Sequence, residues 1–288
     1  MKKQFNLLGS LLLIILLFVG CNSVNNNDSN KDSNLGEGPA NDLAGTVSIT
    51  GSTSVEKILY DMMDEFMAYN PDVTINYTGT GSSSGISDTL TFANDIGVSS
   101  REIRAAEKKD DLKEVIFAYD GIAVVVHPNN PIKNISLSDL VRIYNGEITN
   151  WKTLGGKDSP IVMVSREDAS GTRTAFEELI DLGGAGGLTL NATVVEGNGN
   201  IQATVAGNEN AIGYVSFAFI RDDVRSVMID GVEATPDNAK EGKYLLARPF
   251  LMVYMDSKLS PVGRAFLDFV VSEEGQNFVT EHGGIRVD

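Results

Sequence analysis

Apolar and polar positions alternate, or apolar positions run together, in six short segments of the chain: "TVSITG", "VTINYTG", "DIGVSS", "IVMVSR", "ATVVEG" and "AIGYVSF". Period-two alternation and short apolar runs predict strands. Between them the apolar positions recur at helical spacing. The clearest case is "SVEKILYDMMDEFMAYN", which sets Val55, Ile58, Leu59, Met62, Met63 and Phe66 on one face. Pro71 ends that pattern, because a proline disfavours helical geometry in the residue before it. The methionines on the stripe read as core. Strands alternating with helices predict an α/β fold with mainly parallel sheets.

Two apolar stretches, "VIFAYDGIAVVVHP" and "YLLARPFLMVYM", are longer than an ordinary strand needs. Each can cross between two halves of the molecule. They predict a discontinuous plan, with residues 45–122 and 248–288 in one lobe and 123–247 in the other. No internal repeat is visible.

The amino terminus follows a different pattern. Lys2 and Lys3 precede "LLLIILLFVG", and the apolar run stops at Cys21. A basic start, a short apolar core and a small residue before the cut describe a secretory signal peptide over residues 1–20. The run is shorter than the roughly 20 residues that span a bilayer. Cys21 is the only cysteine, and "LFVGC" resembles the lipobox of bacterial lipoproteins, with Phe18 where leucine is usual. The resemblance implies a lipid anchor on Cys21 at the extracytoplasmic face of the cell membrane. Stable anchoring takes more than one acyl chain. Residues 21–44, rich in Asn, Ser, Asp and Gly, read as a flexible tether.

Charge narrows the partners. The formal net charge is −16, and losing Lys2 and Lys3 with the leader takes it to −18. Nucleic acid, which needs clustered Lys and Arg, is not an expected partner. Any anion site has to work by local hydrogen bonds, against the overall charge.

Three predicted strands end in turns of the same kind. Gly51-Ser52-Thr53-Ser54 follows the first, Gly79-Thr80-Gly81-Ser82-Ser83-Ser84-Gly85 the second, and Ala169-Ser170-Gly171-Thr172 follows "IVMVSRED". Each leads into a helical pattern. Free backbone N–H groups and the positive dipole end make helix starts anion sites, and hydroxyls add donors. A serine or threonine at one such turn more often simply caps its helix. Three turns together with Arg166 point to a shared pocket at the carboxyl ends of the strands.

Enzyme readings find less support. "GSSSG" matches the nucleophile-elbow pattern with Ser83 as nucleophile, but a serine hydrolase needs a histidine base. Only His127 and His282 exist. Two histidines and one cysteine offer no common metal cluster, and no G-x-x-x-x-G-K-[ST] loop is present. No cofactor is expected.

The segments "TGSTSV", "YTGTGSSSGI", "DIGVSSRE", "LVRIYNGEITNW", "SREDASGTRTAF", "AIGYVSF" and "FLDFVVSEEGQ" resemble, in order and spacing, the phosphate-binding proteins of Pst-type ABC importers. The resemblance runs from about Gly45 to Asp288. It implies a non-enzymatic, two-lobed, hinged binding protein of the periplasmic type II kind. Such a protein closes over one phosphate and delivers it to permease and ATPase subunits. Carried over by motif, Ser52, Thr53, Ser54, Ser82, Ser100, Arg166, Ser170, Gly171 and Thr172 would bind phosphate. Asp168 would hold Arg166. Trp151 would pack the middle of the chain.

One position departs from the family. Many members carry an aspartate where this chain has Ser100, and that carboxylate accepts the proton of HPO₄²⁻ while repelling sulfate. Ser100 can donate or accept. The acceptor role is left open to Ser100, Asp168 or a backbone carbonyl, and sulfate or molybdate stands as the alternative ligand.

Overall fold

The computed structural model describes residues 43–287, so the signal peptide, Cys21 and most of the tether lie outside the described residues. The chain begins with β1 (Gly45–Gly51), α1 (Glu56–Tyr69), β2 (Val73–Gly79), α2 (Ser82–Leu90) and β3 (Ile96–Ser99). A 15-residue strand, β4 (Leu112–Val126), leads into the middle segment. There follow β5 (Asn134–Ile135), α3 (Leu137–Tyr144), β6 (Val162–Arg166), α4 (Gly171–Leu179), β7 (Thr193–Val195), α5 (Gly197–Ala206) and β8 (Ala211–Ser216). Then come β9 (Arg225–Ser226), β10 (Met228–Ile229) and α6 (Pro236–Lys240). The return strand β11 (Ala247–Met255) precedes α7 (Pro261–Val271), α8 (Glu273–Glu281) and β12 (Ile285–Arg286).

The main sheet runs β2-β1-β3-β11-β4-β8-β6-β7. Pairs β1–β2, β1–β3, β6–β7 and β6–β8 are parallel, as alternation with helices requires. Every antiparallel strand pair includes β4 or β11. These are the two long apolar stretches. β4 pairs with β11 over Leu112–Gly121 and with β8 over Ile122–Val126, changing partner midway.

That change coincides with a change of core. One core gathers Val47 to Ala118 with Phe250 to Val279, including the buried α1 stripe Ile58, Leu59, Met62, Met63 and Phe66. Burying each such side chain contributes about 1.5–3 kcal/mol. A second core runs from Ile122 to Leu246 and takes in Ile285. Trp151 belongs to it, 1% exposed, with its indole N–H donating to the Asn210 carbonyl at 2.9 Å. The cores also touch through side chains. Lys57 of α1 donates to the Ala218 carbonyl at 2.8 Å and lies 4.5 Å over the Phe219 ring. No described helix is long and apolar enough to cross a membrane.

Candidate functional site

The turns after β1, β2, β3 and β6 meet where the two cores face each other. Ser52, Ser54, Ser82, Ser100, Arg166, Ser170 and Thr172 are each at most 2% exposed, and Thr53 is half-buried. Seven buried polar side chains in one place need partners, and they find them across the chain. The Ser54 and Thr172 hydroxyls are 2.7 Å apart, and those of Ser82 and Ser100 are 3.2 Å apart. Arg166 Nη2 donates to Thr53 Oγ1 at 3.1 Å. Gly171 packs so tightly on the second turn that a Cβ would stand 2.1 Å from Ser82 Oγ and 2.6 Å from Ser100 Oγ. The structure therefore brings the sequence-predicted residues together.

Their local roles differ. Ser170 caps α4, accepting from Arg173 N at 3.2 Å. Ser82 is the first residue of α2 rather than its cap, which is Gly81, and it accepts instead from Ser100 N at 3.0 Å. The α1 and α2 starts carry no side-chain cap. Ser52 Oγ accepts from Ser54 N at 3.2 Å, tightening the first turn.

Asp168 does not hold Arg166. It is 95% exposed and pairs with Arg173. A turn closed by Ser170 N on the Glu167 carbonyl, at 3.0 Å, leaves Glu167 facing inward. Glu167 takes the role, accepting from Arg166 Nε at 2.8 Å and Nη2 at 2.7 Å. Burial pushes the Glu167 carboxyl up, but the Arg166 hydrogen bonds and charge outweigh it and hold the group below its ordinary value. Exposure on the far side of the turn also removes Asp168 as an acceptor for a ligand proton. Arg166 Nη1 remains buried with no hydrogen-bond partner. A buried guanidinium donor left over beside clustered hydroxyls fits an anion.

A further group lies beneath. Asp120 on β4 and Arg248 on β11 face each other in register and form an ion pair at 2.9 Å, both essentially buried. Arg248 Nη1 donates to the Ser100 carbonyl at 3.1 Å and Nη2 reaches Ser54 Oγ at 3.3 Å. Asp120 also accepts from Ser216 Oγ at 2.9 Å and Phe217 N at 3.2 Å. Burial pushes the Asp120 carboxyl up, against the lowering effect of Arg248. Asn198, at the start of α5, donates to Ser54 Oγ at 3.1 Å. Sequence reasoning missed Glu167, Asp120, Arg248 and Asn198. A signal existed for two of them: Asp120 and Arg248 are charges of opposite sign, each set within a long apolar stretch.

The hydrolase reading loses its base. Ser83 Oγ accepts from Arg101 Nη2 at 3.2 Å, and Arg101 is clamped by Glu107. His282 Nε2 lies 2.7 Å from Asp61, and His127 Nδ1 accepts from Asn129 N at 3.1 Å. Among the described residues neither imidazole bonds to Ser83.

Residues 37–274 match the PBP superfamily domain. The chain is 33% identical to the phosphate-binding protein PstS of Bacillus subtilis, over 99% of this chain and 95% of that protein. It is 28% identical to PstS of Borreliella burgdorferi, over 96% and 98% respectively. Among solved structures it resembles a Clostridium perfringens substrate-binding protein assigned to phosphate ABC transport, which holds bound phosphate. That similarity has TM-score 0.81 and 47% identity, over 85% of this chain and all of the other. An ABC-type phosphate transport receptor from Vibrio cholerae is similar at TM-score 0.73 and 31% identity, over 84% of this chain and all of the other. With an α/β fold in which strands cross between two cores and hydroxyl-lined helix starts surround Arg166, this chain belongs to the PBP superfamily and, within it, to the PstS family of phosphate-binding proteins.

Proposed function

We propose that this chain is a non-enzymatic, extracytoplasmic receptor that captures inorganic phosphate and passes it to the permease and ATPase subunits of an ABC importer. Its two cores act as lobes, 45–122 with 248–288 and 123–247, hinged on β4 and β11. Cys21 carries the lipid anchor, reached through the 21–44 tether. Ser52, Thr53, Ser54, Ser82 and Ser100 contact the anion from one lobe. Arg166, Ser170, Gly171 and Thr172 contact it from the other. The observation that carries this reading is the buried Arg166 Nη1, unpartnered among hydroxyls of separate turns.

Phosphate is the ligand for which the similar proteins are named, and Ser100 accommodates it by accepting from a P–OH group, although the same hydroxyl can donate to sulfate or molybdate. The test is calorimetry on the chain in detergent, titrated with phosphate, sulfate and molybdate. One-to-one heat with phosphate is expected, and heat with sulfate alone sinks the ligand assignment. Replacing Arg166 with Ala should weaken phosphate by about 2 kcal/mol or more, roughly thirtyfold, because charge-assisted bonds are lost and Glu167 then faces the anion. An unchanged affinity removes Arg166 from the site.

A further inference from the structure

The Ser54 hydroxyl has three neighbours, and two of them can only donate to it. Arg248 carries no acceptor, so its Nη2 gives a proton to Ser54 Oγ. The Asn198 amide is oriented by its other end, because its oxygen accepts the Ser216 N–H at 3.1 Å, an atom that cannot accept in return. Its nitrogen therefore faces Ser54 and donates as well. A hydroxyl has two lone pairs and one hydrogen. With both lone pairs filled, Ser54 gives its own hydrogen to Thr172 Oγ1, 2.7 Å away. The Thr172 hydroxyl, whose side-chain partner among the described residues is Ser54, keeps its hydrogen for something else.

The Ser82–Ser100 pair behaves differently. Ser82 Oγ accepts from Ser100 N, which leaves one lone pair open, so the proton between the two hydroxyls can run either way.

We propose that Arg248 and Asn198 are positioning residues that lock the Thr172 hydroxyl as a donor, so that the site meets an unprotonated anion oxygen there and takes a protonated oxygen on the Ser82–Ser100 side. This rests on the phosphate reading above. The charged groups around the locked hydroxyls are Arg248 with Asp120 and Arg166 with Glu167. Their charges cancel, so the lock orders protons without adding net charge to the pocket.

The test measures phosphate affinity below and above the second ionisation of phosphate. Two variants release the lock without changing net charge. Asn198→Ala empties one lone pair of Ser54. The double substitution Arg248→Met with Asp120→Asn empties the other and leaves no bare buried charge. With the lock released, Thr172 can turn its lone pair to the ligand and accept from a P–OH. The affinity ratio between the two pH values should then fall roughly threefold to tenfold, the worth of one hydrogen bond. Should the double variant fail to fold, Asn198→Ala alone decides. Curves that drop in parallel, with the ratio unchanged, make both residues structural supports and overturn the proposal. Wild-type chain that binds no phosphate at either pH overturns the underlying reading instead.

Discussion

Glu167 couples the site to the stability of the fold. Its carboxyl is held below the ordinary 4.5 by Arg166, which overcomes burial. A depressed carboxylate contributes stability above its unfolded value, and that contribution is lost as pH falls through the folded value. Glu107, clamped on buried Arg101, is shifted the same way and adds to the effect. Thermal melting followed from neutral pH downward should fall steeply only below about pH 4.5. Glu167→Gln should flatten that slope, and a slope identical to wild type would count against the pairing. The residue types of the candidate site were legible because hydroxyls and glycines after strands have a known chemistry. Glu167 was not distinguishable from Asp168, since which of two adjacent acids turns inward depends on the turn that follows β6. Arg248 and Asp120 are 128 residues apart, and only the register of two antiparallel strands makes them partners.

At the level of elements, period and punctuation carried most of the information. The six segments read as strands are β1, β2, β3, β6, β7 and β8, and the two long stretches are β4 and β11. The two-residue strands β5, β9, β10 and β12 were not legible, because two residues show no alternation. What the strand-turn-helix pattern could not show is how closely α4 seats on α2. Gly171, the first residue of α4, makes that approach possible. In most helices glycine to alanine adds stability, about 0.5–1 kcal/mol. Here the added methyl must push Ser82 and Ser100 away from Thr172. Gly171→Ala should weaken phosphate at least as strongly as losing one hydrogen bond, about tenfold, and it should also lower the melting temperature, because overpacking this buried seat costs about 1–3 kcal/mol, more than the helix gain returns. Calorimetry and melting on the same preparation separate the two effects, and an unaltered affinity would refute the tight seating.

The whole molecule carries a charge opposed to its proposed task. At −16 it repels a phosphate dianion at long range, and the guanidiniums of the site are neutralised by Glu167 and Asp120. Screening weakens repulsion between separated charges much more than contacts inside a buried pocket. Stopped-flow capture of phosphate should therefore speed up as salt rises from low to physiological levels, with the dissociation rate nearly constant. Capture that slows with salt would reveal attraction from some local positive surface.

The place of β11 in the sheet has a consequence for how the chain reaches this state. It inserts between β3 and β4, yet it is made long after both, once the entire middle segment has been synthesised. Until it arrives, β3 and β4 each present an unsatisfied edge, the kind of surface that invites pairing with other chains. Contacts of such sequence separation form slowly, because loop closure precedes the reward. The middle segment carries its own core and can collapse first, while the segment that starts the chain must wait for the segment that ends it.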